Sequence, residues 1–455
     1  MPMSITERLQ QGPATSRELQ RVTGLNQSAI SRQTRALGSK IIKLREGRTL
    51  RYYLTSNAFG ADDNLPLYMI DPHGNNAIVA NIRPLAHGGF YIEPRTGMPM
   101  VLLGANRNGL FEDLPYFLDD LRPQGFLGRQ IAEQMSQISP DFPADPRHWS
   151  MDHVGSYLVS NGDDLPGNFK FGQHAHLRVR QRPVAMTHND YPELADAVLR
   201  GTVPGSSAGG EQPKFTAYNA ERGHVIVKFS PAKRNPVSNR WRDILLTEFH
   251  ATEAIHAYGF PAAETRIFEL GGRLFLESQR FDRSGEFGRL PLISLQAVDN
   301  EFTGIGSNWP AVMNALGGLG LVNAQHIYDV EVIWYFGRLI NNTDMHLGNL
   351  SLSLEGNVFR ILPAYDMCSM GFAPRGGEVE PYAFSPPVVD RGLMLISNDT
   401  MRVVEGMAHD FWDRLANDDR ISDELRMFMS QGNPIDNLPS RGPQQLELHQ
   451  FTNTL

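Results

Sequence analysis

Two carboxylates and one amide constrain this chain more than anything else in it. Asp344 and Asn349 stand five residues apart in Leu339-Ile340-Asn341-Asn342-Thr343-Asp344-Met345-His346-Leu347-Gly348-Asn349-Leu350, and Asp366 closes the segment Phe359-Arg360-Ile361-Leu362-Pro363-Ala364-Tyr365-Asp366. A helix-like apolar run precedes the first stretch and a short alternating strand follows it, so Asp344 and Asn349 fall in the turn between them. Such a layout suits phosphoryl transfer: the first carboxylate can receive a hydroxyl proton, while the amide oxygen and the second carboxylate hold magnesium on phosphates. Taken alone, an Asn/Asp-rich turn that only caps neighbouring elements has the same composition. The rest of the chain has to supply the other parts.

The chain of 455 residues is long enough for two or three domains, and 41% hydrophobic with 20% charged residues is the balance of an ordinary globular protein. No apolar run reaches the length of a membrane span, and Met1 to Thr15 lacks a signal-peptide core. The single Cys368 excludes an internal disulfide and a cysteine-based zinc site, so a cytoplasmic location is expected. His174 and His176 form a His-x-His without convergent carboxylates, a weak metal signal beside the commoner surface histidine.

The net charge of −8 is unevenly spread. Residues 1–55 carry ten basic side chains against Glu7, Glu18 and Glu46, leaving +7 there and −15 on the remainder. A basic head on an acidic body points the head at a polyanion, although a solvated basic face has the same charge. Ser16 to Val22 reads as a helix behind a Ser or Thr cap, Gly24 supplies a tight turn, and Gln27 to Leu37 reads as a second helix. Ile30, Thr34 and Leu37 face inward there, leaving Gln27, Ser28, Ser31, Arg32 and Arg35 outward, types suited to base edges and phosphates. Ile41 to Leu44 and Leu50 to Leu54 make a hairpin with Arg48 in its turn. Residues 4–54 thus resemble a winged helix-turn-helix DNA-binding domain, with a helical hairpin for protein docking as the alternative. Asn57 to Asn64 has the composition of a linker.

Gly201 to Phe215 contains four glycines and two serines, which free the backbone to curl around an anion; a flexible surface loop reads the same way. His224-Val225-Ile226-Val227-Lys228-Phe229 follows as a strand, and a lysine in an apolar strand beyond such a loop is where a phosphotransferase contacts the α- and β-phosphates. A helix over about Arg240 to Tyr258 places Glu248 on the stripe of Ile244, Leu245, Thr252 and Ile255. Buried there, Glu248 needs a cation, and Lys228 is its natural partner; otherwise it snorkels to solvent. A hairpin from Thr265 to Leu276 runs into Glu277-Ser278-Gln279-Arg280-Phe281-Asp282-Arg283, a candidate hinge between two lobes.

Loop, strand lysine, helix glutamate, Arg-Phe-Asp-Arg and Asn-Thr-Asp-x-His-x-x-Asn stand in one order. Together they resemble the HipA family of bacterial serine/threonine kinases, the toxin-type kinases of toxin–antitoxin systems, over roughly residues 65–430. That resemblance implies ATP and Mg2+ as cofactors and Asp344 as catalytic base. It implies Asn349 and Asp366 as magnesium ligands, Ala208, Gly209, Gly210, Glu211, Gln212 and Pro213 as phosphate loop, and Lys228 as ATP lysine. Gln279, Arg280 and Phe281 match the hinge, His346 and Tyr365 flank the nucleotide, and Ser206 stands where the family autophosphorylates. Three departures stand out: Gly348 in place of a basic residue before Asn349, Gln279 in place of an acidic one, and Glu211 in the phosphate loop.

The expected architecture is therefore α/β (α+β), a two-lobed protein-kinase-like body behind a winged helix-turn-helix. The expected domains are residues 1–57, 65–283 and 284–455. Expected partners are DNA, a protein substrate such as an aminoacyl-tRNA synthetase or another translation component, an antitoxin and a second copy of the chain, with no membrane. A transcriptional regulator whose body binds nucleotide with little catalysis is the main rival. A nuclease is the weaker one, because it leaves Lys228, Glu248 and the hinge without a role.

Overall fold

A computed structural model of the chain describes residues 2–161, 164–201, 212–384 and 396–436. The fold is mixed α+β. At the N-terminus, helices Ile5–Gln10, Ser16–Thr23 and Gln27–Ala36 pack on a three-stranded sheet that orders Ala14–Thr15, Thr49–Leu54 and Ile41–Glu46. Local chemistry sets these boundaries. Ser4 with Glu7 and Thr15 with Glu18 form capping boxes, Asn26 caps the third helix, and Gly24 ends the second at φ +71°. Ile5, Leu9, Leu19, Ile30, Tyr52 and Leu54 form the small core of this unit.

The expected linker is a packed joint. Phe59 is buried at φ +61° with its ring against Gly155, where a Cβ would lie 2.2 Å away. Arg83, only 4% exposed, donates to the carbonyls of Ser39 and Asp63, both at 2.7 Å. Ile42 and Tyr53 of the head meet Leu85 of the body in a further apolar cluster. The Asn, Asp, Gly and Ala composition allowed a free tether; Phe59 and the neighbouring Arg83 fix the chain by burial instead.

Next comes a five-stranded sheet whose inner strands are Phe90–Pro94, Asn76–Pro84 and Leu65–Ile70, with the helix Met151–Ser160 against its edge. A second five-stranded sheet follows, in the order Thr265–Leu270, Arg273–Gln279, Gly223–Phe229, Lys214–Asn219, Ala185–Met186. Its hairpin turn needs Gly271 and Gly272, at φ +57° and +77°. One face of this sheet buries Phe215, Val225, Val227 and Phe229 against Tyr191 and Ala195, and the 22-residue helix Pro236–Ala257 also packs against it. The C-terminal part is mainly helical, with Trp309–Gly318, Ala324–Leu339 and Asn398–Ala416 around a core shared with the first five-stranded sheet. Among the described helices none is long and apolar enough to cross a membrane.

Candidate functional site

Alternation along Gly223–Phe229 sends Val225, Val227 and Phe229 into the core and Lys228 to the opposite face. There Lys228 Nζ lies 2.7 and 2.6 Å from the two carboxylate oxygens of Glu248 and 2.5 Å from Asp366 Oδ1. Lys228 is 7% exposed and Glu248 3%. Burial works against the Lys228 charge, but Asp366 and Glu248 hold its proton more firmly than usual. Burial, reinforced by Asp366, pushes the Glu248 carboxyl up against the pull of Lys228. At Asp366 burial is outweighed by Lys228 and then Lys214, which bring the carboxyl down to about 2. Asp366 sits at φ +53°, a conformation few side chains adopt, and this turn aims its carboxylate back at the strand lysine.

Asn341, at φ +60°, breaks the helix Ala324–Leu339 and starts the loop that carries Asp344. Asn342 is 3% exposed; its Oδ1 accepts the Asp344 N–H at 3.0 Å, and its own N–H donates to Gly337 at 2.9 Å. Asp344 is thus fixed by its backbone while its side chain stays half-exposed, 3.8 Å from His346 Nε2. Asn349 Nδ2 donates to the Asp344 carbonyl at 2.6 Å, and its Oδ1 accepts no hydrogen bond among the described residues. His346 Nδ1 receives the Gly348 N–H at 3.1 Å, and Tyr365 donates to the Gly348 carbonyl at 3.1 Å. Gly348 therefore serves through its backbone, and a Cβ there would meet the His346 ring at 2.9 Å.

Sequence reasoning passed over Asn342, Ser369 and Gly371. Ser369 Oγ donates to the Ile340 carbonyl and its N–H donates to Thr247, one residue before Glu248. Gly371 leaves room for the Asn341 side chain, which a Cβ would approach to 2.3 Å. The consecutive Asn341-Asn342 pair was the available signal, because asparagine both tolerates left-handed backbone and bonds locally.

The segment after Gln279 divides its roles. Gln279 donates its backbone N–H to Glu264 and Arg280 its own to His224, both at 2.9 Å. The Arg280 side chain is spent on protein: Nη1 lies 2.7 Å from Asp164 Oδ1, and Nε and Nη2 lie 3.0 Å from the Asp282 carboxylate. Its main-chain N–H being given to His224, only the Arg280 carbonyl, which takes the Arg283 N–H at 3.3 Å, keeps a lone pair open for a ligand. The Phe281 ring packs 5.6 Å from that of Tyr365.

Of the residues expected to form a phosphate loop, Ala208, Gly209, Gly210 and Glu211 lie outside the described residues, as does Ser206. Gln212 and Pro213 lie at its edge. Gln212 is 8% exposed, and its Nε2 is buried without a hydrogen-bond partner among the described residues. A buried orphan donor beside a glycine-rich loop fits an anionic ligand there. Hard oxygens of Asn349 and Asp366 fit magnesium, which takes one or two protein ligands and completes its shell with phosphate and water. Among the described residues no group of three or more His, Cys, Asp or Glu side chains could hold a metal on its own. In the head, Ser28, Arg32, Arg35 and Arg48 are exposed and Ser31 is half-buried. Gln27 accepts from Ser16 and Gln20, so its amide oxygen is already engaged.

Two family models match the chain, one for the middle domain of YjjJ-like toxins over residues 61–180 and one for the HipA-like C-terminal domain over residues 206–420. HipA from the Shewanella oneidensis MR-1 complex of HipA, HipB and operator DNA superposes with a TM-score of 0.51. That alignment covers 83% of this chain and 92% of that one at 15% identity, a likeness of fold. The fold is that of a HipA-type protein. Toxin YjjJ of Escherichia coli (strain K12) is 34% identical over 435 residues, covering 93% of this chain and 94% of that protein, and the chain belongs to the family of HipA-like toxins that includes it.

Proposed function

We propose that the chain is a toxin-type serine/threonine protein kinase that uses Mg2+ and ATP, with the boundaries 65–283 and 284–455 dividing its two lobes. The observation that carries this reading is the convergence of Lys228, Glu248 and Asp366 beside the loop of Asp344 and Asn349. Asn349 Oδ1 and Asp366 would hold magnesium, which neutralises phosphate charge when bound. Asp344 would accept the proton of a substrate Ser or Thr hydroxyl, which needs a fixed backbone and an accessible carboxylate; Asn342 provides the first and the open loop the second. Lys228, Gln212 and Pro213 would face the phosphates with Ala208 to Glu211, and Gln279 to Phe281, His346 and Tyr365 would surround the base and ribose. Ser206 would be an autophosphorylation site, where a dianion competes with ATP for the same cradle.

The head, residues 1–57, would act as a winged helix-turn-helix on DNA, probed by Ser28, Ser31, Arg32, Arg35 and Arg48, and as a dimer reading two half-sites. Three helices, a small antiparallel sheet and a charge of +7 support this reading. The Shewanella HipA structure contains HipB and operator DNA, which makes an antitoxin the corresponding partner to seek here. A component of the translation machinery is the substrate class that the family suggests. Two features favour the second reading, a regulator with little catalysis: Gly348 stands where a basic residue would precede Asn349, and Glu211 adds a negative charge to the phosphate loop.

Transfer from γ-labelled ATP to protein, compared between the wild type and Asp344→Asn, separates the two. Transfer that is lost in the variant while nucleotide and DNA binding persist supports the kinase. Equal and negligible transfer in both overturns it in favour of the regulator.

A further inference from the structure

The helix Pro236–Ala257 carries Glu248, and a second line of contacts ties this helix to the chain that continues from Asp366. Ser369 donates its N–H to Thr247 Oγ1 at 3.1 Å. Nearer the start of the helix, the buried Asp243 accepts the Tyr382 hydroxyl at 2.6 Å and the Ser422 N–H at 2.8 Å. Arg240, also buried, lies with its guanidinium carbon 3.7 Å from the centre of the Tyr382 ring. It donates to the carbonyls of Phe372 and Glu380 at 2.9 and 2.7 Å. Tyr382 is therefore held by its ring face and its hydroxyl at once.

Arg240, Asp243 and Thr247 are spaced three and four residues apart, so they line one face of the helix. A helix gripped at three points along one face is fixed both in rotation about its axis and in sliding along it. Glu248 is the residue after the last grip, and its carboxylate inherits that setting. Lys228 shares its ammonium between Glu248 and Asp366, which requires both carboxylates at fixed positions. One of them rides on the gripped helix, and the other begins the segment that grips it. Ion pairing by itself leaves the helix free to turn, because lysine follows a moving carboxylate on its flexible four-carbon stem.

We propose that Tyr382 is a positioning residue for phosphoryl transfer, holding the helix through Asp243 and Arg240 so that Glu248 keeps Lys228 aimed into the cleft. The proposal rests on the kinase reading above. It differs from a plain packing role, in which loss of the hydroxyl would loosen the whole fold rather than the pair of Lys228 and Glu248 in particular.

Tyr382→Phe removes the hydroxyl and keeps the ring on which Arg240 stacks. The test labels the full chain, wild type and variant, with acetic anhydride and reads each lysine by mass spectrometry; transfer from γ-labelled MgATP to protein is measured alongside. Labelling follows the population of locally open states. Loss of a hydrogen bond to a carboxylate should raise labelling of Lys228 about tenfold and lower transfer at least about threefold. The buried Lys170 and the exposed Lys233 should label as in the wild type. Unchanged labelling of Lys228 overturns the proposal, and so does a rise shared by Lys170, which marks general loosening. A rise at Lys228 with transfer at the wild-type rate overturns it as well. A rise confined to Lys228, in a protein whose wild type transfers no phosphate, upholds the grip on the pair and overturns the kinase reading.

Discussion

Arg280 Nη1 lies 2.7 Å from Asp164 Oδ1, joining the segment after the strand Arg273–Gln279 to a residue 116 positions earlier. Around this contact, Arg283 reaches the same carboxylate at 3.2 Å, Asp282 binds both arginines, and the Gly167 N–H donates to Asp282 at 2.9 Å. Arg280 and Arg283 hold the Asp282 carboxyl well below the usual range against the opposing effect of burial. The YjjJ-like middle domain is therefore bonded to the candidate hinge through a buried ion network.

Asp282, 4% exposed, bridges two buried guanidinium groups, whereas the Asp164 side chain that pairs with the same two is 54% exposed. Removing one partner of a buried network leaves uncompensated charge, so Asp282→Ala should cost about 3–5 kcal/mol. Asp164→Ala should cost about 1 kcal/mol or less, because water replaces the lost carboxylate. Urea midpoints of the two variants check this; equal losses would refute the assigned difference in burial.

Lys228 and Glu248 give a second contrast. Lys228→Met strands Glu248 in the core and should both destabilise the protein by about 3–5 kcal/mol and abolish phosphate transfer. The double variant Lys228→Met/Glu248→Leu replaces the pair by apolar groups and should recover much of that stability with no recovery of transfer. Thermal melts and transfer assays on the three proteins measure the two properties separately. A double variant as unstable as the single one would contradict the account.

Asp120 predicts a pH dependence. Burial, with a smaller push from Asp119, raises its carboxyl to about 6, although the Ser294 N–H, donating at 2.6 Å, favours the charged form. An unfolded aspartate titrates near about 3.9. Between these values the folded state retains a proton that the unfolded chain releases, so this contribution is fully present below about pH 4 and is lost as pH rises through about 6. Stability of Asp120→Asn, measured by denaturant unfolding from pH 4 to 7, should lack this decline. A slope identical to that of the wild type would rule the assignment out.

On the proposed DNA-binding role of the head, Arg32→Ala and Arg35→Ala should each lower the slope of log affinity against log salt by about 1, because each would remove one phosphate contact. Fluorescence anisotropy with duplex DNA over a range of salt concentrations measures it. Slopes that do not move would place the nucleic-acid surface elsewhere, and an absence of DNA binding would favour protein docking by the same helices.

The sequence alone determined the local units and their order. A Ser or Thr cap before the second helix, the glycine after it, the alternation around Lys228 and the turn that carries Asp344 are read within a few residues of themselves, because backbone preference and hydrogen-bond closure act over that range. Tertiary packing decided what those units do to each other. Lys228 and Asp366 are 138 residues apart, and their contact depends on how the C-terminal helices seat against the sheet. The use of the Arg280 side chain and the burial of Phe59 in a segment with linker composition are likewise outcomes of packing. Each is settled by which charges and rings share a desolvated volume, and that volume exists only once the distant segments have closed around it.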